Sequence, residues 1–231
     1  MEAVILAGGF GSRLSHIVSD VPKPMAPVAG HPFLKYILDD LIAKGISRVV
    51  MAVGYKKESI LKYFGYTYNG CEVVYSNEDR PLLTGGAMKK ALIKCREQNV
   101  FVINGDTFYD INLLAMAVEH VKNSADLTIA TKEMRNFERY GTVITENDRI
   151  IQFLEKKPKE YGMINGGIYL VKKELLSGII GDEFSFETEI MEKKVSELKI
   201  YAFKCNGYFV DIGVPEDYEK ARMNFAEVGD E

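Results

Sequence analysis

The sequence predicts an α/β fold: a Rossmann-like mixed, mainly parallel sheet covered by helices. Two observations carry that reading. Through the first half of the chain, short runs rich in β-branched residues alternate with stretches of helical periodicity, the pattern of crossover units that pair strands in parallel. Those runs are also apolar at nearly every position, as strands must be when helices cover both faces of the sheet.

Taken in order, Ala3 to Ala7 is a strand that enters a glycine loop. Phe33, Leu34, Ile37, Leu38, Leu41 and Ile42 recur at the spacing of one helix face, and Gly45 stands where a C-cap belongs. Arg48 to Val53 is a second strand, Lys56 to Phe64 a helix, Cys71 to Ser76 a third strand, Gly86 to Gln98 a helix, and Val100 to Asn104 a fourth strand ending at Gly105-Asp106. The second half is less regular. Gly141 to Thr145, Arg149 to Glu155 and Gly167 to Val171 read as short strands, Phe186 to Leu198 as a helix, and Lys199 to Cys205 and Tyr208 to Ile212 as strands. Pro215 opens a last helix, at a position where its missing N–H removes no bond.

Composition narrows the function classes. With 231 residues, 47% of them apolar, the chain can bury a substantial core, and without repeat or linker one domain is expected. A net charge of −4 argues against a dedicated nucleic-acid binder, yet one local Lys/Arg cluster could still hold a nucleotide. Cys71, Cys95 and Cys205 are odd in number and form no CxxC pair, which argues against a disulfide framework or zinc site and for a reducing cytoplasm. No stretch approaches the roughly 18 apolar residues of a membrane helix. The N-terminus runs straight into Val4-Ile5-Leu6 and reads as a strand rather than a signal peptide.

The strongest chemical signal is Leu6-Ala7-Gly8-Gly9-Phe10-Gly11-Ser12-Arg13-Leu14, followed by Pro22-Lys23-Pro24. A glycine loop directly after the first strand lets backbone N–H groups approach phosphate oxygens, and Arg13 and Lys23 can add full positive charge. A P-loop would end Gly-Lys-Ser/Thr, whereas this loop ends Gly11-Ser12-Arg13. A dinucleotide fold would want a third glycine where Leu14 stands and an acidic residue closing the second strand, which ends Val53-Gly54-Tyr55. Asp106 and Asp211 both end strands beside glycines, at the sheet edge where ligands gather in open α/β folds. A lone strand-end aspartate is usually a cap; two of them with the glycine loop reverse those odds and point to a functional site.

Leu6 to Leu14 with Pro22-Lys23-Pro24 resembles the signature of the sugar-1-phosphate nucleotidyltransferases, with Ser12 where threonine is commoner. The resemblance spans nearly the whole chain. Within that family the sequence looks closest to the D-glycero-D-manno-heptose 1-phosphate guanylyltransferases, then to mannose-1-phosphate guanylyltransferases and short uridylyl- and thymidylyltransferases. Ile103 to Phe108, Arg139 to Val143, Ile164 to Tyr169 and Phe209 to Tyr218 carry the heptose branch.

The resemblance implies the nucleotide-diphospho-sugar transferase type of fold, with residues 1–110 binding a nucleotide and 111–231 a sugar. It implies that a sugar 1-phosphate attacks GTP, or another NTP, and releases pyrophosphate. Arg13 and Lys23 would be the catalytic cations, and Asp106 and Asp211 would hold Mg²⁺. Leu6, Ala7, Gly8, Gly9, Gly11 and Ser12, with Glu78, Thr84 and Gly85, would hold the nucleotide. The family's Leu-Gly-Thr is here Leu82-Leu83-Thr84, so that Leu83 replaces a glycine. Thr84 also reads as a helix N-cap. Asn104, Gly141, Glu155, Lys156 and Asn165 would hold the sugar phosphate; carboxylates and amides suit a polyol, because each can pair with more than one hydroxyl. The tyrosines and the Phe184/Phe186 pair read as core packing, and the scattered His16, His31 and His120 receive no role. Neither nucleic acid nor membrane is expected as a partner; apolar patches in the second half would support a homodimer. Rival readings are a non-catalytic nucleotide-sugar sensor, and a transferase of non-sugar phosphates on the same loop.

Overall fold

The computed structural model describes residues 1–9, 20–154 and 156–228. β1 (Glu2–Leu6) is followed by a 3-10 turn (Lys23–Met25) and a small hairpin, β2 (Pro27–Val28) and β3 (His31–Pro32), that leads into α1 (Phe33–Ala43). Then come β4 (Arg48–Val53), α2 (Lys57–Phe64), β5 (Thr67–Tyr68), β6 (Cys71–Asn77), α3 (Leu83–Leu92) and β7 (Asn99–Asn104). The second half holds β8 (Thr107–Tyr109), α4 (Leu113–Lys122), β9 (Leu127–Phe137), β10 (Thr142–Glu146), β11 (Arg149–Leu154) and β12 (Lys159–Lys172). After a π-helical turn at Glu187–Glu192 it ends with β13 (Ile200–Lys204), β14 (Phe209–Asp211) and α5 (Pro215–Val228). Among the described residues no helix is long and apolar enough to cross a membrane.

Ten strands form one sheet in the order β10-β11-β13-β9-β12-β7-β1-β4-β6-β5. β1 is parallel to both β4 and β7, and β4 to β6, as the crossover pattern predicts. β12 runs antiparallel to β7 and β9 and so joins the two halves, while β13 returns parallel to β9. β10 pairs with β12 as well as β11, so these strands with β13 and β9 close a ring at one end of the sheet.

Strand geometry sends successive side chains to opposite faces. Ile5, Met51 and Ile103 pack against Phe33, Leu34 and Leu38 of α1 and Ala221 of α5. Their neighbours Val4, Val50, Ala52 and Val102 pack on the other face against Met88, Ala91 and Leu92 of α3 and Ile190 and Met191 of the π turn. Each buried aliphatic side chain stabilises the fold by roughly 1.5–3 kcal/mol, so both faces of the strands must be apolar.

α1 stops as the sequence indicates: Gly45, at φ +90°, takes the left-handed position beyond the C-cap and its N–H bonds Ile42 O at 2.9 Å. α3 differs from expectation at both ends. It starts at Leu83 rather than Gly86, because the N–H groups of Gly85 and Gly86 are taken by Phe184 O at 2.9 and 3.3 Å. Thr84 is therefore not the N-cap; Leu82 holds that position without a side-chain cap. The helix ends well before Gln98, because the buried Glu2 carboxylate accepts from the N–H groups of Arg96 and Glu97 at 2.7 and 2.9 Å and draws the chain out of helical geometry. The strand expected at Gly167 to Val171 is the end of the much longer β12, and the helix expected over Phe186 to Leu198 is reduced to the π turn.

Candidate active site

β1 delivers the chain to the first pocket. The Ala7 N–H continues the ladder to Ala52 O at 2.8 Å, and Gly8 and Gly9 then turn out over a cleft of about 670 Å³. A β-carbon on Gly8 would lie 2.6 Å from Glu78 Oε1 and 3.3 Å from the Gly54 nitrogen, so bare backbone at the ends of β1 and β4 is what admits the Glu78 side chain. Burial raises the Glu78 carboxyl above the ordinary carboxylate range, against the opposing Leu82 N–H and the Lys90 charge. Leu6, Lys23, Thr84, Asn104 and Asp106 line the same cleft.

Asp106 follows β7 through Gly105, whose N–H bonds Leu6 O at 2.9 Å; a β-carbon there would lie 2.7 Å from that oxygen, so glycine is needed to bring the strand ends together. β14 pairs with β8 at Asp211 and Thr107, and the Ile212 N–H donates to Asp106 O at 3.0 Å, which fixes the two aspartates side by side. Lys23, on a short turn flanked by Pro22 and Pro24, places Nζ 2.5 Å from Asp106 Oδ2 and 3.9 Å from Asp211 Oδ1. Asp211 also accepts from the Gly213 N–H at 2.7 Å. Burial raises its pKa most, the Asp106 charge raises it further, and Lys23, Gly213 N–H and Arg139 oppose. Such a pair of hard oxygen donors fits Mg²⁺, which takes one or two carboxylates with phosphates and water. Among the described residues no group of three or more His, Cys, Asp or Glu competes for a metal.

The second pocket, about 390 Å³, is lined by Asn104, Gly141, Lys156, Asn165 and Asp211. β12 shifts register between Asn165 and Tyr169, and Gly167 there adopts φ +74°. The Asn165 amide is held by its own bonds, donating to Tyr169 OH at 2.8 Å and accepting from the Gly167 N–H at 3.0 Å. A β-carbon on Gly141 would lie 2.7 Å from the Phe153 ring, so that edge of the pocket is also bare backbone. Asn104 borders both pockets, Asp106 the first and Asp211 the second.

The structure thus gathers most of the residues singled out from sequence. Two of them do not border the first cleft: Ala7 is buried, and Gly85 packs against the Phe184 ring with its N–H already bonded. Gly11, Ser12, Arg13 and Glu155 lie outside the described residues. Phe184 and Phe186 are core residues as expected, and Tyr169 is buried too, though it also borders the second pocket. Glu187 and Glu192 border that pocket without having been anticipated. Thr84 Oγ1 and Ser185 Oγ donate to Glu187 Oε2 at 2.6 and 2.9 Å, contacts that no local motif announces. Arg139 also borders it; it was visible only as part of the Arg139-Tyr140-Gly141 segment, stacks on the Tyr140 ring and bonds Asp217.

A glycine loop on the first strand and an acidic pair with a lysine between two clefts define an enzyme of nucleotidyl transfer, and the chain belongs to the nucleotidyl transferase family, whose sequence model matches residues 2–228. Over 223 residues it is 48% identical to the D-glycero-alpha-D-manno-heptose 1-phosphate guanylyltransferase of Aneurinibacillus thermoaerophilus, covering 96% of this chain and 97% of the relative. The Campylobacter jejuni guanylyltransferase of the same name is 45% identical over 226 residues, 97% of this chain and all of the relative. The crystal structure of HddC from Yersinia pseudotuberculosis complexed with GMP-PN superposes with a TM-score of 0.86 at 33% identity, covering 97% of this chain and 99% of that one.

Proposed function

We propose that this protein is a guanylyltransferase that joins D-glycero-α-D-manno-heptose 1-phosphate to GTP and releases pyrophosphate. The observation that carries the reading is the position of Lys23, Asp106 and Asp211 where the two pockets meet. Identity of 48% over nearly the full length of a heptose 1-phosphate guanylyltransferase supports the choice of base and sugar.

A phosphate oxygen of the sugar 1-phosphate attacks the α-phosphorus of GTP in line; a new P–O bond forms, the bond to the β-phosphate breaks, and pyrophosphate carries away the electron pair. No covalent nucleophile from the protein is needed, because the attacking oxygen is already anionic. The obstacle is repulsion between two anions. Gly8 and Gly9 offer bare backbone to the triphosphate, and Lys23 supplies a full charge at the junction; Gly11, Ser12 and Arg13 would add to that hold, as the family resemblance implies. Asp106 and Asp211 would hold Mg²⁺, which, when bound, screens the phosphates and polarises the α-phosphoryl group. The Glu78 carboxylate suits the N–H donors on a guanine edge. Lys156 would take the sugar phosphate, and Gly141, Glu155 and Asn165 would take hydroxyls. Holding both substrates over the strand ends supplies much of the remaining acceleration. One domain would do this, residues 1–110 serving the nucleotide and 111–231 the sugar. The product would be an activated heptose for polysaccharide assembly in the cytoplasm.

The test is pyrophosphate release from each of the four ribonucleotides and dTTP, paired with heptose 1-phosphate or mannose 1-phosphate, in Mg²⁺. The reading predicts the highest kcat/KM for GTP with heptose 1-phosphate. Preference for UTP or dTTP would remove the guanylyl assignment, and absence of turnover with every pair would remove catalysis.

A further inference from the structure

Leu83 combines two unfavourable features at one position. Its φ is +59°, in the left-handed region that a residue with a β-carbon enters only at a cost, and one that is especially rare for a bulky side chain. It is also a large apolar residue left 54% exposed. Both features fall on the wall of the nucleotide cleft, beside Glu78, Pro81 and Leu82. Backbone strain of this kind persists only where the surroundings over-determine it, and it concentrates at ligand sites.

The surroundings here are specific. Leu82 and Phe184 hold one another through the Phe184 N–H to Leu82 O bond at 3.2 Å, and the N–H groups of Gly85 and Gly86 return to Phe184 O. Phe184 and Phe186 are core residues, and the Phe186 N–H donates to Thr84 Oγ1 at 3.0 Å. The chain on either side of Leu83 is therefore pinned to the core, which leaves residue 83 no regular route between Leu82 and Thr84. A glycine would pass through that point without strain. A leucine instead presents its side chain to the cleft.

The geometry points to Leu83 as a cover for the nucleobase: its side chain packs on the flat face of the base while Glu78 meets the edge. An apolar side chain carried on backbone that is pinned in advance loses its exposure to water when the base binds, at no cost in backbone ordering. This inference rests on reading the first pocket as the nucleotide site and refines that reading with a residue that contacts the base.

Two variants of the full-length protein test it: Leu83→Gly, which removes both the strain and the side chain, and Leu83→Ala, which keeps the strain and removes the side chain. Steady-state kinetics are measured with GTP and heptose 1-phosphate, alongside thermal unfolding of the free protein. Both variants should raise KM for GTP about tenfold, the loss expected for roughly 50–60 Å² of apolar contact. The KM for sugar phosphate and kcat should change less than about twofold, and the Tm of Leu83→Gly should not fall. A loss of nucleotide affinity without a loss of stability is what a merely structural leucine would not give. An unchanged KM for GTP in both variants overturns the inference. So does a change in Leu83→Gly alone, which would trace the effect to backbone freedom. Wild-type turnover in the same series tests the guanylyltransferase reading separately, because the inference is scored on the ratio of variant to wild type.

Discussion

Lys23 and Asp106, 83 positions apart in the sequence, meet at 2.5 Å where the turn that carries the lysine lies against the end of β7. The lysine is well shielded, with 13% of its side chain exposed, and it also reaches toward Asp211. Replacing it by alanine should lower kcat about 10²–10³-fold, the usual loss when one charge-stabilising donor is removed from a site. Circular dichroism and gel filtration should be unchanged, since Asp106 and Asp211 sit on strand ends held by backbone bonds. Turnover within a few-fold of wild type would remove Lys23 from the mechanism.

Gly8→Ala should act on nucleotide binding more than on folding. The new β-carbon meets Glu78 Oε1, the far end of a flexible side chain, so the carboxylate swings away and takes its contacts with it. A rise of about tenfold in KM for GTP, or about 1.4 kcal/mol, is expected with little change in Tm. Alanine without effect on KM would mean that Glu78 has no part in holding the base.

Gly166→Ala should do the reverse. Its β-carbon would lie 2.6 Å from the Tyr109 ring and 2.8 Å from Ala130 O. Tyr109 cannot retreat, because it is buried and its hydroxyl donates to Thr131 O at 3.0 Å and Cys205 O at 2.5 Å. Overpacking of this kind destabilises by about 1–3 kcal/mol, and Tm should fall by several degrees. A variant as stable as wild type would show that β12 can shift at its bulge.

His120 should give stability a pH slope. Its ring is 2% exposed and Nδ1 pairs with Thr128 Oγ1 at 2.8 Å. Burial above all, helped by the Lys172 charge and opposed by Asp126, pushes its pKa down to about 4. In the unfolded chain it titrates near ~6.5. Between those values the unfolded chain takes up a proton that the folded chain refuses. Stability should therefore be complete above about pH 6.5 and decline as pH falls toward 4, by roughly 2–3 kcal/mol over the window. Urea unfolding of His120→Gln should lose that part of the slope; an identical slope would place the proton uptake on other groups.

The first half of the fold was legible because its rules are local. Parallel strands buried on both faces must be apolar throughout, and β4 runs from Arg48 to Val53 as its composition indicates. The second half obeys rules that a short window cannot hold. Only Gly167 to Val171 of β12 reads as a strand, because its first residues, Lys159 to Gly162, are exposed or half-buried and carry no apolar run. α4 is not among the elements read from the sequence; its buried face is Leu113, Met116 and His120, and its exposed face carries the apolar Leu114, Val118 and Val121. The site divides in the same way. Gly8, Lys23, Asp106 and Asp211 were readable because phosphate and cation chemistry requires those residue types. Glu187 was not, because its position depends on Thr84, 103 residues away, and on a π turn that no 3.6-residue period announces. Leu83 was visible as a departure from a family pattern, but its strain is a property of the folded chain.

The account depends most on Asp106 and Asp211 acting together at the junction of the two pockets. The most direct measurement is the rate of pyrophosphate release from GTP and heptose 1-phosphate by Asp106→Asn, Asp211→Asn and the double variant, across a Mg²⁺ titration. Each single variant should lose at least about 10²–10³ in kcat and should require more Mg²⁺. The double variant should be scarcely worse than either single one, since the two act as a unit. Losses that multiply, or a single variant with wild-type rate and Mg²⁺ dependence, would contradict a shared site.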